Sequence, residues 1–303
     1  MTRVDATIVS HGHRDLLEPC LAALAADGIP AIVCENVPDG SAELARSRGL
    51  RVIVNPAPRT FAQNQNALIL RSRADYVLVL NPDVRVEPGC VQLLLAHAEA
   101  NPRAGVVGPR LLEPGGELQR SRRRFPSVGG TLVRRTPLRL LVRDVEAAQR
   151  SHYLDDVPPG PVECDWMLGA CLLLRRRMLD EIGLFDEGFP MYGEDIELQY
   201  RAMRAGWQRW YVPDAIAEHD YERVIDRTLL SRRTLWHVRG MARFVRRHPG
   251  VLVGSEAGGE PGRLTLRARV ADWLRSPEGG SDLRRNRSDG ERSHEEDPSR
   301  RDR

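Results

Sequence analysis

The sequence predicts an α/β fold, with a Rossmann-like, mostly parallel central sheet, flanking helices and a C-terminal helical extension. In the first hundred residues, short apolar runs alternate with longer segments whose apolar residues recur every three or four positions. Repeated units of strand and helix at this length form parallel sheets covered by helices. The 303 residues are 41% hydrophobic and 29% charged, which is typical of a soluble globular chain with a large core.

The predicted elements follow one another in a regular order. Each predicted strand is a short apolar run, and these runs lie at residues 6–10, 31–34, 51–54, 77–80, 105–112 and 172–174. The first helix has its apolar face between Leu16 and Leu24 and ends near Gly28. The other predicted helices cover residues 42–48, a segment from the Thr60 cap to about 73, a segment that begins at 88, and residues 194–206.

Asp83 follows the predicted strand 77–80, in the sequence Asn81-Pro82-Asp83. Because a run buried on both faces stops there, we expect the Asp83 carboxylate at the carboxyl edge of the sheet, where open α/β folds bind ligands. Asp83, helped by Asn81, offers oxygen ligands suited to Mg²⁺ or Mn²⁺ and, through the metal, to a diphosphate. The alternative is a turn in which both side chains bond only their own backbone.

Polar residues also follow the first three strands, and all of these strand ends are expected on one edge of the sheet. Ser10 and His11 follow the first strand, Glu35 and Asn36 the second, and Asn55 the third. Together they predict a nucleotide pocket, and a dinucleotide site is disfavoured because no G-x-G-x-x-G follows the first strand. His11 could stack on a base or be a loop histidine without a ligand. Glu35 could accept a hydrogen bond from a base imide or a ribose hydroxyl, or be a surface acid.

A second group of candidates lies between residues 162 and 198. Gly169 provides a small-residue step at which another group can approach the backbone closely. Trp166 is either a sugar-stacking platform or a core tryptophan. Glu194 and Asp195 occupy the first turn of a helix, where acids are common because they suit the helix dipole. The aromatic and glycine-rich loop before them favours a functional role for Asp195.

Several motifs occur in an order that covers about two thirds of the chain. They are Leu80-Asn81-Pro82-Asp83, Val107-Gly108-Pro109-Arg110-Leu111-Leu112, Trp166 with Gly169-Ala170, Phe185-Asp186-Glu187 through Tyr192-Gly193-Glu194-Asp195-Ile196-Glu197-Leu198, and Arg204-Ala205-Gly206-Trp207 with Tyr211-Val212-Pro213 and His219. On these motifs the segment 10–219 resembles the inverting glycosyltransferases of family 2, which have the GT-A fold. Within that family it is similar to the bacterial rhamnosyltransferases that extend polyprenyl-linked saccharides.

The resemblance implies a role for each candidate residue. Asp83 would ligate a divalent metal, Mg²⁺ or Mn²⁺, and His219 would complete the coordination of that metal. Asp195 would be the catalytic base. The donor, a nucleoside diphosphate sugar, would be bound by Ser10, His11, Glu35, Asn36, Asn66, Asn81 and Asp83. The acceptor, a glycan or a polyprenyl-linked saccharide, would be bound by Trp166, Gly169 and Glu194.

The implied reaction transfers a sugar, in the first instance L-rhamnose from dTDP-rhamnose, with inversion at the anomeric carbon, in cell-envelope polysaccharide synthesis. Two departures from the family pattern concern the donor: Ser10-His11-Gly12-His13 replaces an aromatic residue and an asparagine, and Glu35 stands where an aspartate is common. Another UDP or GDP sugar is therefore an alternative donor. A non-catalytic nucleotide-sugar binding protein would not need Glu194 and Asp195. A nucleotidyltransferase would carry a glycine- and basic-rich loop after the first strand.

The composition divides the chain into three predicted segments. Residues 1–222 form the catalytic domain, and residues 223–253 form a basic amphipathic helical extension. Residues 254–303 are rich in glycine, serine and charged residues, so we expect them to be disordered. The five cysteines are scattered in apolar segments and are expected to be buried thiols.

Two loops, residues 115–157 and 185–193, are candidates for a lid that excludes water from the site. The first loop carries many arginines. These can serve a diphosphate or an anionic membrane surface, or form the solvated side of a loop.

The expected location is the cytoplasm, with peripheral contact on the inner face of the cell membrane. No apolar run reaches membrane-spanning length, and the N-terminus lacks a signal-peptide pattern. The stretch 229–245 supplies an apolar side and several arginines for an anionic surface. Alternatively, Trp236, Met241 and Phe244 pack on the catalytic domain while the arginines face water. No nucleic-acid partner is expected.

Overall fold

A mixed sheet of nine strands forms the centre of the part of the chain that the structure describes. The computed structural model describes residues 3–125, 154, 156–220 and 232–249. The strands are β1 (Val4–Ser10), β2 (Ala31–Glu35), β3 (Arg51–Val54), β4 (Tyr76–Leu80), β5 (Val84–Val86), β6 (Ala104–Leu112), β7 (Arg122–Arg123), β8 (Val162–Glu163), β9 (Trp166–Met167), β10 (Cys171–Arg175) and β11 (Gln208–His219). The helices are α1 (Arg14–Ala26), α2 (Ser41–Ser47), α3 (Phe61–Ile69), α4 (Cys90–Ala100), α5 (Arg176–Ile182), α6 (Glu194–Arg204) and α7 (Arg232–Arg247). β7 and β9 pair with each other in a separate small sheet.

The strand order across the central sheet is β3-β2-β1-β4-β10-β6-β11-β5, with β8 paired to β11. The first four strands in this order run parallel, as do β6 and β11. β10 is antiparallel to both of its neighbours, and β5 is antiparallel to β11. The predicted α/β class, with a mostly parallel sheet and flanking helices, is confirmed. The antiparallel strands are not evident from the sequence, because strand direction there depends on connections that local patterns do not show.

Helices cover both faces of the sheet. β1 and β4 are buried at every residue, as expected for strands between two helical layers. Alternate residues of β4 divide between two apolar clusters: Leu78 and Leu80 face the cluster with α1, α2 and α4, whereas Val77 and Val79 face the cluster with α3, α5 and α6. The uninterrupted apolar run of β4 is therefore explained by burial on both sides.

Two helix ends differ from the sequence prediction. α3 is capped by Thr60, whose side chain accepts the Gln63 N–H. It ends at Ile69 and not near 73, because the residues that follow form a tighter turn. α4 begins at Cys90 and not at 88, because Gly89 has a φ of +81°, a left-handed conformation that cannot belong to the helix.

All five cysteines are buried and free, which confirms the prediction of buried thiols. Burial raises the pKa of Cys90 and of Cys164 to about 12. The thiols therefore fill space in the core and stay protonated at neutral pH.

The C-terminal helix α7 packs on the same compact unit as the sheet. Phe244 is fully buried, and Met241 is partly buried against the same aromatic cluster. The positions of Phe244 and Met241 agree with the interpretation in which the helix packs on the catalytic domain.

Several predictions concern residues outside the described ranges. They are most of the arginine-rich loop 115–157, the domain boundary near 222 and the segment 254–303. Among the helices that are described, none is both long enough and apolar enough to cross a membrane.

Candidate functional site

The carboxyl ends of β1, β2 and β3 meet at one edge of the sheet, as predicted. The register of β1 and β2 pairs Ser10 with Glu35. The ladder continues past the strand ends, because the Asn36 N–H donates to the Ser10 carbonyl (2.8 Å) and the Asn55 N–H to the Glu35 carbonyl (3.0 Å). The candidate polar side chains therefore lie along one continuous edge, where α/β sheets bind ligands.

Asp83 and His219 meet at the sheet edge although they lie far apart in the sequence. β5 begins directly after Asp83 and pairs antiparallel with the end of β11, which places Val84 opposite His219. The Asp220 N–H donates to the Asp83 carbonyl (2.9 Å) and fixes the two chains together. The Nε2 atom of His219 lies 3.4 Å from Oδ1 of Asp83. The structure thus brings together the two residues predicted to ligate a metal.

Gln119 contacts His219 from the other side of its ring. The Gln119 Oε1 atom lies 2.8 Å from His219 Nδ1, and both residues are buried. An Nδ1–H that donates to this oxygen leaves the lone pair of Nε2 directed toward Asp83. Oδ1 of Asp83 is itself buried and accepts no hydrogen bond from the described residues. With this tautomer of His219, two electron-rich atoms face one position.

This pair fits a divalent cation whose remaining ligands come from a bound molecule. Within the described ranges, no group of three or more His, Cys, Asp or Glu side chains could hold a metal. Mg²⁺ does not need such a cage, because proteins commonly bind it through one or two carboxylates plus substrate phosphates. A histidine whose second nitrogen donates to a neighbour is a typical metal ligand. Asp83 and His219 are the residues that would hold Mg²⁺ or Mn²⁺.

Ser10 and Glu35 have partners inside the protein. The Ser10 hydroxyl donates to Oδ2 of Asp39 (3.1 Å) and accepts from the Ser41 hydroxyl (2.7 Å). Oε2 of Glu35 accepts the Ala42 N–H (2.9 Å) in the first turn of α2. Glu35 is buried, so it is not the surface acid of the alternative interpretation. Both side chains support the N-terminus of α2, and donor contact stays a prediction for them.

His11 is exposed at the same edge and contacts Asn36. The Nδ1 atom of His11 lies 2.8 Å from Nδ2 of Asn36. Oδ1 of Asn36 accepts from the Asn55 amide (2.8 Å) and from the Arg59 N–H (2.8 Å). Asn36 thus connects the ends of β2 and β3, while the side chain of His11 remains accessible to a ligand.

Asn66, on α3, contacts the loop before α6 and not the open edge of the sheet. Its Nδ2 donates to the Phe185 carbonyl (2.9 Å) and to Oε1 of Glu187 (3.0 Å), and its Oδ1 accepts the Phe185 N–H (3.0 Å). The side chain is buried. The predicted contact of Asn66 with a donor would have to replace these bonds, so the structure gives this residue a structural role.

Two hydrogen bonds connect the segment that carries Asp83 to Asp195. The Asn81 N–H donates to the Ala170 carbonyl (2.9 Å). Gly169, which directly precedes Ala170, donates its N–H to Oδ2 of Asp195 (3.0 Å). A Cβ atom at Gly169 would lie only 3.0 Å from Cβ of Asp195, so the position favours glycine. The close approach predicted at Gly169 is therefore the approach of Asp195.

Asp195 and Glu194 begin α6, directly after Gly193, whose φ is +102°. Oδ1 of Asp195 also accepts the Ile196 N–H (2.8 Å). Burial raises the pKa of Asp195 above its usual value of 3.8, although the two N–H donors oppose this shift. Burial and the adjacent Asp195 raise the pKa of Glu194 to about 8. Near neutral pH, Glu194 therefore tends to keep its proton. The N–H donors of Gly169 and Ile196 favour the charged form of Asp195, which makes Asp195 the candidate base of the pair.

Glu194→Gln should make the stability of the protein less dependent on pH. The pKa of Glu194 in the folded state, about 8, exceeds its usual value of 4.5. In the window between these two pH values, the unfolded chain has lost the Glu194 proton, whereas the folded chain keeps it. The free energy of unfolding of the parent should therefore fall relative to that of the variant, by at most about 1.4 kcal/mol per pH unit. Urea unfolding at both ends of the window measures the difference. Glu117→Gln, at an exposed acid, is the control and should follow the parent. A difference that does not change with pH would contradict the raised pKa of Glu194.

Trp166 lies in the core, with 2% of its surface exposed. Its Nε1–H donates to the Arg124 carbonyl (2.9 Å), and the Arg123 guanidinium carbon lies 5.0 Å from the ring centroid. The core interpretation of Trp166 agrees with this position. A sugar could stack on the ring only after the ring was uncovered, so the predicted acceptor contact has no support here.

Two glutamines that the sequence patterns do not single out also organise the site. Gln119 contacts His219, as described above. Gln199, on α6, donates from Nε2 to the carbonyls of Met167 (2.7 Å) and Asp195 (3.1 Å), and its Oε1 accepts the Met167 N–H (2.8 Å). Only the spacing of four residues between Asp195 and Gln199 could have signalled this role. Gln119 carries no local signal, because its partner is distant in the sequence.

Two surface cavities lie away from Asp83 and Asp195. One, of about 400 Å³, is lined by Asn55, Arg59 and neighbouring residues at the β3 edge. The other, of about 380 Å³, is lined by Asn66 and the loop that follows α5. Asn55 lines the first cavity, so this cavity adjoins the polar edge of the sheet, whereas Asp83, His219 and Asp195 line neither cavity.

Comparison with known sequences shows which proteins this chain resembles. Residues 6–183 match the family model described as Glycosyl transferase family 2. Over 184 residues the chain is 34% identical to the N-acetylglucosaminyl-diphospho-decaprenol L-rhamnosyltransferase of Mycobacterium tuberculosis, a match that covers 58% of this chain and 57% of that protein. Over 251 residues it is 26% identical to Rhamnosyltransferase WbbL of Escherichia coli, covering 79% of this chain and 91% of that protein. The chain thus spans little more than half the length of the mycobacterial relative.

Two solved structures share the fold at low sequence identity. GalNAc-T7 with UDP, GalNAc and Mn²⁺ superimposes with a TM-score of 0.60 at 15% identity, covering 80% of this chain and 48% of that chain. The mannosyltransferase PcManGT from Pyrobaculum calidifontis, in complex with GDP-Man and Mn²⁺, has a TM-score of 0.57 at 14% identity, covering 94% and 75%. The predicted GT-A fold is confirmed by these similarities.

Proposed function

The chain belongs to glycosyl transferase family 2, and from this premise we propose that it is an inverting glycosyltransferase of cell-envelope polysaccharide synthesis. The proposed donor is dTDP-rhamnose, and the proposed acceptor is a hydroxyl of a polyprenyl-linked saccharide. The names of the two bacterial relatives support rhamnose, and that of the mycobacterial relative supports the acceptor. The Mn²⁺ in both structural neighbours supports the use of a divalent cation, for which Asp83 and His219 are the proposed ligands.

The observation that carries the proposal is the fixed relation between the Asp83–His219 pair and Asp195. The bonds from Asn81 to Ala170 and from Gly169 to Asp195 connect the two sides through adjacent residues. A transferase that reacts by direct displacement needs a leaving-group site and a base held in a constant arrangement. A protein that only bound a nucleotide sugar would need the first part alone.

In the proposed reaction, Asp195 takes the proton from the acceptor hydroxyl as its oxygen bonds to the anomeric carbon of the donor sugar. The bond between that carbon and the diphosphate oxygen breaks on the opposite face, so the configuration inverts. Asp83 and His219 would hold a divalent cation, which would supply positive charge to the departing diphosphate. The raised pKa of Asp195 makes its carboxylate a stronger base than an exposed aspartate. Glu194, protonated near neutral pH, can donate a hydrogen bond to the acceptor.

A transfer assay tests this function. The purified chain is incubated with Mn²⁺, a polyprenyl diphosphate-linked N-acetylglucosamine and, in parallel, dTDP-rhamnose, UDP-glucose, UDP-N-acetylglucosamine or GDP-mannose. We expect a rhamnosylated product with dTDP-rhamnose, whose anomeric configuration in the NMR spectrum is opposite to that of the donor. The same nucleotide sugar should also raise the Tm of the protein.

The other outcomes of this assay separate the alternatives. Transfer from a UDP or GDP sugar, with no transfer from dTDP-rhamnose, would replace the proposed donor and keep the enzyme class. Thermal protection by a nucleotide sugar without transfer to any acceptor would identify the chain as a binding protein. Retention of the donor configuration would contradict the single displacement.

The proposal includes peripheral contact with an anionic membrane surface through α7. Since Phe244 is buried, the apolar side of the helix faces the protein, and the outward residues include Arg239, Ala242 and Arg246. Each arginine near such a surface contributes about 1 kcal/mol, screened by salt. The intact protein should float with anionic vesicles at low salt, and the double change of Arg239 and Arg246 to Glu should abolish flotation. No flotation of the parent at low salt would remove the membrane from the proposal.

A further inference from the structure

The residues before Asp195 hold an unusual backbone conformation. We refer to residues 184–193, between α5 and α6, as the aromatic loop. Tyr192 in this loop has a φ of +67° and is the only non-glycine residue with a positive φ in the described ranges. Such a conformation is unfavourable for a residue with a large side chain and persists only where surrounding contacts impose it. Tyr192 lies two residues before Glu194, so whatever imposes this conformation also determines where α6 begins.

The backbone of α7 lies directly against Tyr192. A Cβ atom built on Gly240 would be 2.2 Å from the Tyr192 carbonyl oxygen and 3.6 Å from that of Met191. Both neighbouring groups are backbone atoms, so they cannot move aside as a flexible side chain could. Gly240 is buried, and it is the residue that lets the helix approach the loop this closely.

Two arginines of α7 bind the other end of the aromatic loop. Arg243 donates from Nε and Nη2 to the two carboxylate oxygens of Asp186, at 2.9 Å each. Arg247 donates from Nη1 to Oδ2 of the same residue (2.7 Å). The Arg243 guanidinium also lies so close to Gly188 that a Cβ atom there would overlap it. A bidentate pair of this kind fixes orientation as well as distance.

An aromatic side chain of α7 reaches α6 itself. Phe244 is fully buried, and its ring is 5.4 Å from the ring of Tyr200, in an edge-to-face arrangement of 86°. Phe125 and Phe189 belong to the same cluster. The first residue after the helix, His248, lies 3.3 Å from Oε1 of Glu197. α7 therefore contacts both the aromatic loop and the helix that carries Asp195.

We propose that α7 is a positioning element for the catalytic base, in which Gly240, Arg243 and Phe244 hold the aromatic loop so that Asp195 stays at Gly169. The assignment of Asp195 as a base rests on the proposed function. The position of its carboxylate, however, can be measured without any substrate. Two amide protons report the position of the Asp195 carboxylate directly, since Gly169 N–H donates to Oδ2 and Ile196 N–H to Oδ1.

Gly240→Ala distinguishes a docked helix from a solvent-exposed one. In an exposed helix, alanine is more favourable than glycine, so the variant would be at least as stable as the parent. In the docked helix, the added methyl group overlaps the Tyr192 carbonyl. We expect hydrogen exchange at the Gly169 and Ile196 amides to accelerate at least about tenfold in the variant. We expect kcat to fall about 10–100-fold, as for a displaced catalytic group, while KM for the donor changes by less than about threefold.

Arg243→Gln is the second variant, and Arg177→Gln is its control, because Arg177 is an exposed arginine on α5. Arg243→Gln should accelerate exchange at Gly169 and lower kcat, and Arg177→Gln should leave both unchanged. Asp186→Asn should act like Arg243→Gln, and the double variant should lose little more than either single variant.

The results separate this inference from the proposed function. If Gly240→Ala and Arg243→Gln leave exchange at Gly169 unchanged, or accelerate it with no loss of kcat, α7 does not position the base. If the parent protein transfers no sugar in any donor combination, the proposed function fails. Accelerated exchange at Gly169 in the two variants, but not in Arg177→Gln, would then still support the positioning of Asp195 by α7.

Discussion

Asp195→Asn should lower the rate of the proposed sugar transfer by roughly 10²–10⁴-fold, the usual contribution of a general base. Asparagine keeps the shape of the side chain, and its Oδ1 can still accept one of the N–H bonds that Asp195 receives from Gly169 and Ile196. It cannot take up the proton of an acceptor hydroxyl. The loss should therefore appear in kcat, with Mn²⁺-dependent binding of the nucleotide retained.

The pH profile gives a second measure of this role. Because burial raises the pKa of Asp195, the parent should lose activity on the acid side at a higher pH than an ordinary aspartate would cause. Asp180→Asn, at an exposed aspartate on α5, is the control and should leave the rate and its pH profile unchanged. Activity of Asp195→Asn within about threefold of the parent would exclude Asp195 as the base.

Asp83→Ala should weaken Mn²⁺-dependent binding of the nucleoside diphosphate by about 10²-fold or more, since loss of a metal ligand exceeds the 10–100-fold cost of losing an outer-shell partner. In the proposed site, removing this carboxylate would leave the cation with His219 as its only side-chain ligand from the pair. Titration calorimetry with the diphosphate, with and without Mn²⁺, measures the effect.

The control for this change lies at the opposite end of β4. Asp75 precedes β4 at the amino edge of the sheet and is exposed, so Asp75→Ala should leave nucleotide binding unchanged. Asp83→Ala should reduce binding of the nucleotide, whereas Asp195→Asn should reduce only kcat. Unchanged affinity in Asp83→Ala would show that the cation is bound elsewhere or is not used.

Much of the fold follows from local patterns in the sequence. The alternation of apolar runs and helical periodicity predicts β1 to β4 with their helices, because each unit buries its own apolar face. The same patterns bring the polar residues after each strand to one edge, and this placement makes Asp83 a candidate site residue. Sheet order beyond β4 could not be predicted, because β10 enters between β4 and β6 from far along the chain.

The parts of the site that sequence patterns miss depend on distant partners. Gln119 meets His219, and Asn66 meets Phe185, through folding of the chain and not through any local spacing. An asparagine beside predicted nucleotide residues suggests a ligand contact, but the Asn66 amide is used to hold the aromatic loop. For α7, amphipathic periodicity indicates an apolar face but not which surface that face covers.

The burial of all five cysteines makes this chain a suitable background for site-specific spin or fluorophore labelling. Maleimide and methanethiosulfonate reagents need an accessible thiolate, and the native thiols are both enclosed and shifted to higher pKa by burial. A single cysteine introduced at Arg239 or Ala242, on the outward side of α7, should be the main reactive group. Distances from such a probe could then be followed during turnover without first removing the native cysteines, whose replacement would disturb the packing beneath the sheet.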